Sequence, residues 1–238
     1  MKLKRIHHTF RGRKIEIIVP VKDLLKVTKK LSEGKVSEIL EEYEWRYLEN
    51  PRLILASKSK RRRELLKLIG LDFEVISPKV EEKISVSEMP EEIALRLAKL
   101  KAENVFERIS EGVVIGADTL VVLKNKIFGK PQDETKAREM LRALSGKKHA
   151  VITGIYVTDG SREIKDFVST QVVFKNLKEK EIQNYLEREK PYDKAGAYAI
   201  QGRAALFVKE IHGCYFNVVG LPLLRLSEIL KDFGFEIL

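Results

Sequence analysis

From Arg52 onward, short apolar runs alternate with helical stripes of apolar residues. Leu53–Ala56 predicts a strand, and Lys60–Ile69 predicts a helix stopped by Gly70, a usual residue just past a helix end. Phe73–Ser77 predicts another strand. Pro90 opens a long helix to about Ile109, with Ala94, Leu97, Ala98, Ala102, Val105 and Ile109 on one stripe. Val113–Ala117 and Leu120–Leu123 predict two apolar strands broken by an aspartate. Asp133 caps a helix running to Leu144, which Gly146 ends. Ala150–Thr158 and Ile164–Phe174 predict two long strands joined by the turn Asp159-Gly160-Ser161. A helix over Lys178–Arg188, strands over Ala195–Ile200 and Leu206–Ile211, and a last helix from about Pro222 to Phe233 complete the pattern. Such alternation predicts an α/β body with a mixed, twisted sheet and flanking helices.

Residues 1–50 read differently. Lys14–Val19 predicts a short strand, and Val36, Ile39, Leu40, Tyr43 and Tyr47 recur at helical spacing, predicting an amphipathic helix to about Leu48. Asn50-Pro51 then breaks the helix, because the residue before proline is pushed out of the helical region. The expected organisation is an N-terminal α+β extension over 1–50 and a main domain over 51–238.

The 238 residues are 44% apolar and 34% charged, enough for a sizeable core and inconsistent with a mostly disordered chain. The single cysteine, Cys214, excludes an intramolecular disulfide and fits a reducing compartment. No apolar run approaches membrane-spanning length. The basic opening MKLKRIHHTFRGRK leads into a strand-like IEIIV rather than a signal-peptide core. A cytoplasmic protein without membrane contact is expected. The formal charge of +10 is spread over mixed-sign stretches such as KLKAENVFER. That pattern favours an anionic small substrate, and nucleic acid is not the expected main partner.

Absent motifs narrow the chemistry. The chain has neither GxxxxGK[ST] nor GxGxxG, no HExxH, no paired CxxC and no GxSxG, and its four histidines are dispersed. What remains is a set of cations and carboxylates near predicted strand ends. In LASKSKRRRELL, two serines precede a helix that begins with Arg61, Arg62 and Arg63. Cations in a first helical turn oppose the helix dipole, by roughly 0.3–1 kcal/mol each. Free N–H groups and arginine forks there would instead suit phosphate. Lys101 falls on the inward stripe of its helix, where a snorkelling lysine and a cation aimed at a phosphate cleft are equally compatible. Asp118 follows an apolar run between small residues, as catalytic carboxylates do in α/β folds, although a turn-capping aspartate is the commoner case. Glu81 and Glu82 add carboxylates that could hold Mg²⁺ or Mn²⁺ with phosphate oxygens completing the shell. Lys130 and Lys194 add cations beside glycines. Together these suit hydrolysis at a polyphosphate.

In order, LILASKSKRRRELL, VIGADTLVV, GKP, MLRALSGKKHAVITG, DKAGAYAIQG and NVVGLPL resemble the motifs of the Maf nucleotide pyrophosphatases, over about Leu53–Phe233. The resemblance implies a Maf or inosine-triphosphatase-like fold, a homodimer, a divalent metal, and hydrolysis of nucleoside triphosphates to monophosphate and pyrophosphate. It implies that Asp118 accepts the proton of the attacking water, that Glu82 and Asp118 hold the metal, and that Ser57, Arg62, Lys101 and Lys130 bind the triphosphate, with Lys194 beside them. Arg61, Thr119 and Gln201 match the branch acting on dTTP and UTP. A Gln amide offers the donor and acceptor that a uracil or thymine edge requires. Lys60 departs from the proline usual at this helix start, and residues 1–50 match no part of the family. The competing readings are an inosine-type purine triphosphate pyrophosphatase and a non-catalytic nucleotide or nucleic-acid binder in division control.

Overall fold

A computed structural model describes residues 2–10, 13–47, 51–83, 88–109 and 111–238. The chain divides into two compact units, one of residues 1–51 with 231–236 and one of 52–230 with 237–238.

In the first unit, strands β1 (Leu3–Phe10), β2 (Arg13–Pro20) and β3 (Glu44–Tyr47) form an antiparallel sheet in that order. Helices α1 (Leu24–Ser32) and α2 (Val36–Glu42) accompany it. Alternate β2 residues Ile15, Ile17 and Val19 are buried with Val27, Val36 and Ile39 in one apolar cluster. The even positions carry Glu16, which binds Arg46 at 3.0 Å and His7 at 3.3 Å on the neighbouring strands. The predicted helix to Leu48 is too long. It ends at Glu42, and residues 44–47 pair with β2, Glu44 opposite Ile18 and Trp45 opposite Ile17. Trp45 therefore reaches the cluster from β3, and Tyr43 from the extended residue just before it. Leu48 and Asn50 lie outside the described residues.

The second unit holds a mixed seven-stranded sheet, ordered β10-β9-β8-β6-β4-β5 with β7 against β6. These strands are β4 (Leu53–Ala56), β5 (Glu74–Val75), β6 (Val113–Leu123), β7 (Lys126–Phe128), β8 (Lys148–Thr158), β9 (Glu163–Phe174) and β10 (Val208–His212). β4 runs parallel to β5 and β6, and the other pairings are antiparallel. The helices are α3 (Lys60–Leu68), α4 (Pro90–Ile109), α5 (Glu134–Leu144), α6 (Glu179–Glu189), α7 (Tyr215–Val219) and α8 (Leu223–Asp232), whose last two residues count with the first unit.

Three differences from the sequence reading bear on the site. The two apolar runs around Asp118 are one continuous strand, β6, with Asp118 opposite Gly154 of β8. The predicted strand over 195–200 is instead a 3₁₀ turn at Ala195–Ala197. Gly196 sits there at φ +67°, and a Cβ on it would lie 3.0 Å from the Val121 side chain. The segment after Cys214, to which the sequence pattern assigns no element, forms the short helix α7.

Helix α4 packs close against the sheet because glycines and alanines face each other. A Cβ on Gly116 would come within 2.1 Å of the Ala98 carbonyl oxygen, and one on Gly154 within 2.5 Å of the Ala94 backbone. Ala94, Ala98 and Ala102 are all fully buried. This contact sets how deep the helix side chains reach.

Candidate active site

A cavity of about 830 Å³ opens over β6, bounded by the start of α3, the inward face of α4 and the segments around residues 129–130, 193–200 and 218–220. Seven cationic residues line it: Lys58, Lys60, Arg61 and Arg62 from the start of α3, with Lys101, Lys130 and Lys194. Among the described residues, three acidic ones oppose them, Glu82, Asp118 and Asp193. A net-positive cleft of this kind attracts and holds polyanions.

The strand-to-helix turn at α3 is built by its serines. Ser59 caps the helix, its hydroxyl accepting from the Arg62 amide at 3.4 Å, and Ser57 Oγ accepts from the Ser59 amide at 3.1 Å. The cap turns Arg62 inward, where its side chain is buried. Its Nε donates to the Gly220 carbonyl at 2.7 Å and Nη2 to Thr119 Oγ1 at 2.9 Å. Nη1 lies 3.5 Å from Ser57 Oγ. Burial pushes the Arg62 guanidinium downward in pKa, and Asp118 nearby opposes that shift.

Lys101 does not snorkel out to solvent. Its side chain is 7% exposed, and its ammonium sits between two carboxylates, Glu82 Oε1 at 2.9 Å and Asp118 Oδ1 in a short contact. Glu82 is shared with Lys130, 3.6 Å away. Burial raises the Glu82 pKa, but Lys101 and Lys130 outweigh it and hold the carboxyl below its ordinary range. Glu81 does not join: it is exposed and pairs with Lys83.

Ser57, Arg61, Arg62, Glu82, Lys101, Asp118, Thr119, Lys130 and Lys194 therefore meet at one cavity. Lys194 is held by Asp193 at 2.7 Å. Gln201 is the exception. Ile200 is buried and lines the wall, and the next residue, Gln201, is exposed and off the lining. Sequence reasoning missed the Gly220 carbonyl, Thr153 and Asn217, which support Arg62 from elements remote in the chain.

Among the described residues, no three His, Cys, Asp or Glu side chains gather as a metal site. Glu82 and Asp118 instead share one cation, the Lys101 ammonium. Two carboxylates suit Mg²⁺ or Mn²⁺ when phosphate oxygens and water fill the other positions. None of the described helices is long and apolar enough to cross a membrane.

Comparison with known proteins places this cavity in a family. The "dTTP/UTP pyrophosphatase" of Carboxydothermus hydrogenoformans is 50% identical over 186 residues, 77% of this chain and 100% of the relative. The protein of the same name from Alkaliphilus oremlandii is 51% identical over 183 residues, 76% of this chain and 95% of the relative. That from Clostridioides difficile is 48% identical over 183 residues, 76% of this chain and 94% of the relative. Among solved structures, the Staphylococcus aureus Ham1 protein aligns with a TM-score of 0.39 and 16% identity, over 52% of this chain and 71% of that one. The Maf-like protein family matches residues 52–233, every cavity residue included. The chain thus belongs to the Maf-like family, with residues 1–51 outside the match.

Proposed function

We propose that this chain hydrolyses dTTP and UTP to the monophosphate and pyrophosphate. The observation that carries the reading is the Lys101 ammonium held between Asp118 and Glu82 at a cavity lined by seven cations, in a chain 48–51% identical to proteins named for that activity.

In the reaction, water attacks the α-phosphorus while Asp118 takes its proton. The α–β phosphoanhydride P–O bond breaks, and pyrophosphate leaves with the bonding electron pair. Lys101 contacts Asp118 through Oδ1, which points the other oxygen, Oδ2, to the role of proton acceptor. Arg62, Lys130 and Ser57 bind the phosphates, with Arg61 and Lys194 at the rim, and their preset charges favour the charge developing in the transition state. A divalent metal, Mg²⁺ or Mn²⁺, bound by Glu82, Asp118 and phosphate oxygens, would neutralise phosphate charge and polarise the phosphoryl oxygen.

The pyrimidine preference rests on the relatives and on Arg61, Thr119 and Gln201, of which the first two line the cavity. A homodimer and a cytoplasmic location complete the reading, on the strength of the family resemblance. The test is pyrophosphate release with Mg²⁺ or Mn²⁺ across dTTP, UTP, CTP, dGTP, 7-methyl-GTP and ITP. Selective release from dTTP and UTP is expected. Release from ITP or 7-methyl-GTP alone would overturn the substrate, and release from none would overturn the activity.

A further inference from the structure

Arg62 is the start of a single file of hydrogen bonds that runs inward, away from the cavity. Its Nη2 donates to Thr119 Oγ1 at 2.9 Å, and Thr119 Oγ1 lies 2.9 Å from Thr153 Oγ1 across the β6–β8 ladder, where the two residues are register partners. Thr153 Oγ1 lies 3.2 Å from the Asn217 carbonyl oxygen. Asn217 is itself fixed, its amide donating to the Val151 carbonyl at 2.9 Å and to Thr170 Oγ1 at 3.0 Å. Thr153 and Asn217 are fully buried.

The direction of the file follows from its ends. A guanidinium can only donate and a carbonyl can only accept. Each hydroxyl between them has one proton. Thr153 gives its proton to the Asn217 carbonyl and so offers a lone pair to Thr119. Thr119 gives its proton to Thr153 and so offers a lone pair to Arg62. Running the hydroxyls the other way would strip the buried Asn217 carbonyl of the Thr153 bond. It would also leave the Thr119 proton only the Gly220 carbonyl at 3.5 Å, an acceptor already bound by Arg62 Nε at 2.7 Å.

We propose that Thr153 is a positioning residue for the Arg62 anion site: by accepting the Thr119 proton it fixes the Thr119 hydroxyl in the orientation that presents a lone pair to the guanidinium and so holds it. The identity of the anion rests on the triphosphate reading above; the anion site itself does not.

The experiment measures binding of inorganic tripolyphosphate by calorimetry, beside KM and kcat for dTTP and UTP. Thr153→Val, nearly isosteric but without the hydroxyl, should weaken tripolyphosphate binding about tenfold, and KM should rise by a similar factor while kcat falls far less. Thr153→Ser should restore both to within about twofold. The ratio of dTTP to dGTP turnover should not move. Thr119→Val should give the same loss, and combining the two should add little, because both break one file. A lowered unfolding midpoint with unchanged tripolyphosphate affinity would overturn the proposal, as would losses that multiply in the double variant or a changed base preference in Thr153→Val. If Thr153→Val fails to fold, Thr119→Val against Thr119→Ser reads the same file, and equal affinity in those two overturns it. A wild-type protein that binds tripolyphosphate but cleaves neither dTTP nor UTP would refute the activity and leave this proposal standing. One that binds no tripolyphosphate would refute this proposal.

Discussion

Lys101 and Asp118 form a buried ion pair although one is on a helix and the other in mid-strand, and the same ammonium also holds Glu82. Asp118→Asn keeps the shape and removes the proton acceptor. Turnover of dTTP and UTP should fall by at least about a thousandfold while nucleotide affinity changes little. Pyrophosphate release and calorimetric binding on the same preparation check both halves, and a variant with near-normal turnover would remove Asp118 from its role.

Chelation offers a second test. Activity should vanish in excess EDTA and return with Mg²⁺ or Mn²⁺, because only two carboxylates face the cleft beside Lys101 and the phosphates must complete the shell. Full activity in EDTA would exclude a metal requirement.

Gly116 tests the helix–sheet contact. A methyl group there would sit 2.1 Å from the Ala98 carbonyl, so Gly116→Ala should cost about 1–3 kcal/mol by overpacking and lower activity by displacing Lys101. Gly129→Ala is the control, since a Cβ at that position meets nothing within 4 Å. Urea denaturation should separate the two, and equal midpoints would refute the packing argument.

Stability should fall in mild acid because of His149. Burial among Phe174 and Tyr198 pushes its pKa down to about 4 from 6.5, and its Nε2 lies 2.8 Å from the Tyr198 hydroxyl. Above 6.5 the imidazole is neutral in both folded and unfolded chains. Below it the unfolded chain takes up a proton that the folded chain refuses until about pH 4. Stability is therefore complete above 6.5 and lost between 6.5 and 4, by up to roughly 3 kcal/mol. His149→Gln should be less stable at pH 7.5 but flatter across that window. Urea midpoints as a function of pH decide it, and an unchanged slope would assign the acid loss elsewhere.

The sequence showed α4 and its inward lysine plainly, because one apolar stripe runs unbroken for twenty residues and places Lys101 on it. It concealed Asp118 in mid-strand, since an isolated carboxylate between two apolar runs reads as a break until a cation from another element pairs with it. β1 was hidden because its alternate positions are basic and histidine residues rather than a clean polar–apolar alternation. The turn at Gly196 was hidden because its conformation depends on packing against Val121, a contact with no local trace. Thr153 and Asn217 were illegible for the same reason: their partners lie 34 and 64 positions away.

The bond from Arg62 to Gly220 spans 158 positions, which gives the cleft a schedule as well as a shape. A ribosome adding about 5–20 residues per second needs on the order of ten to thirty seconds to travel that span. Throughout that interval the carbonyl that is to orient Arg62 has not yet been made. The cleft is thus completed only once α7 and Gly220 have been made, and a chain truncated before α7 would carry all ten described charged residues of the cleft without the carbonyl that aims Arg62.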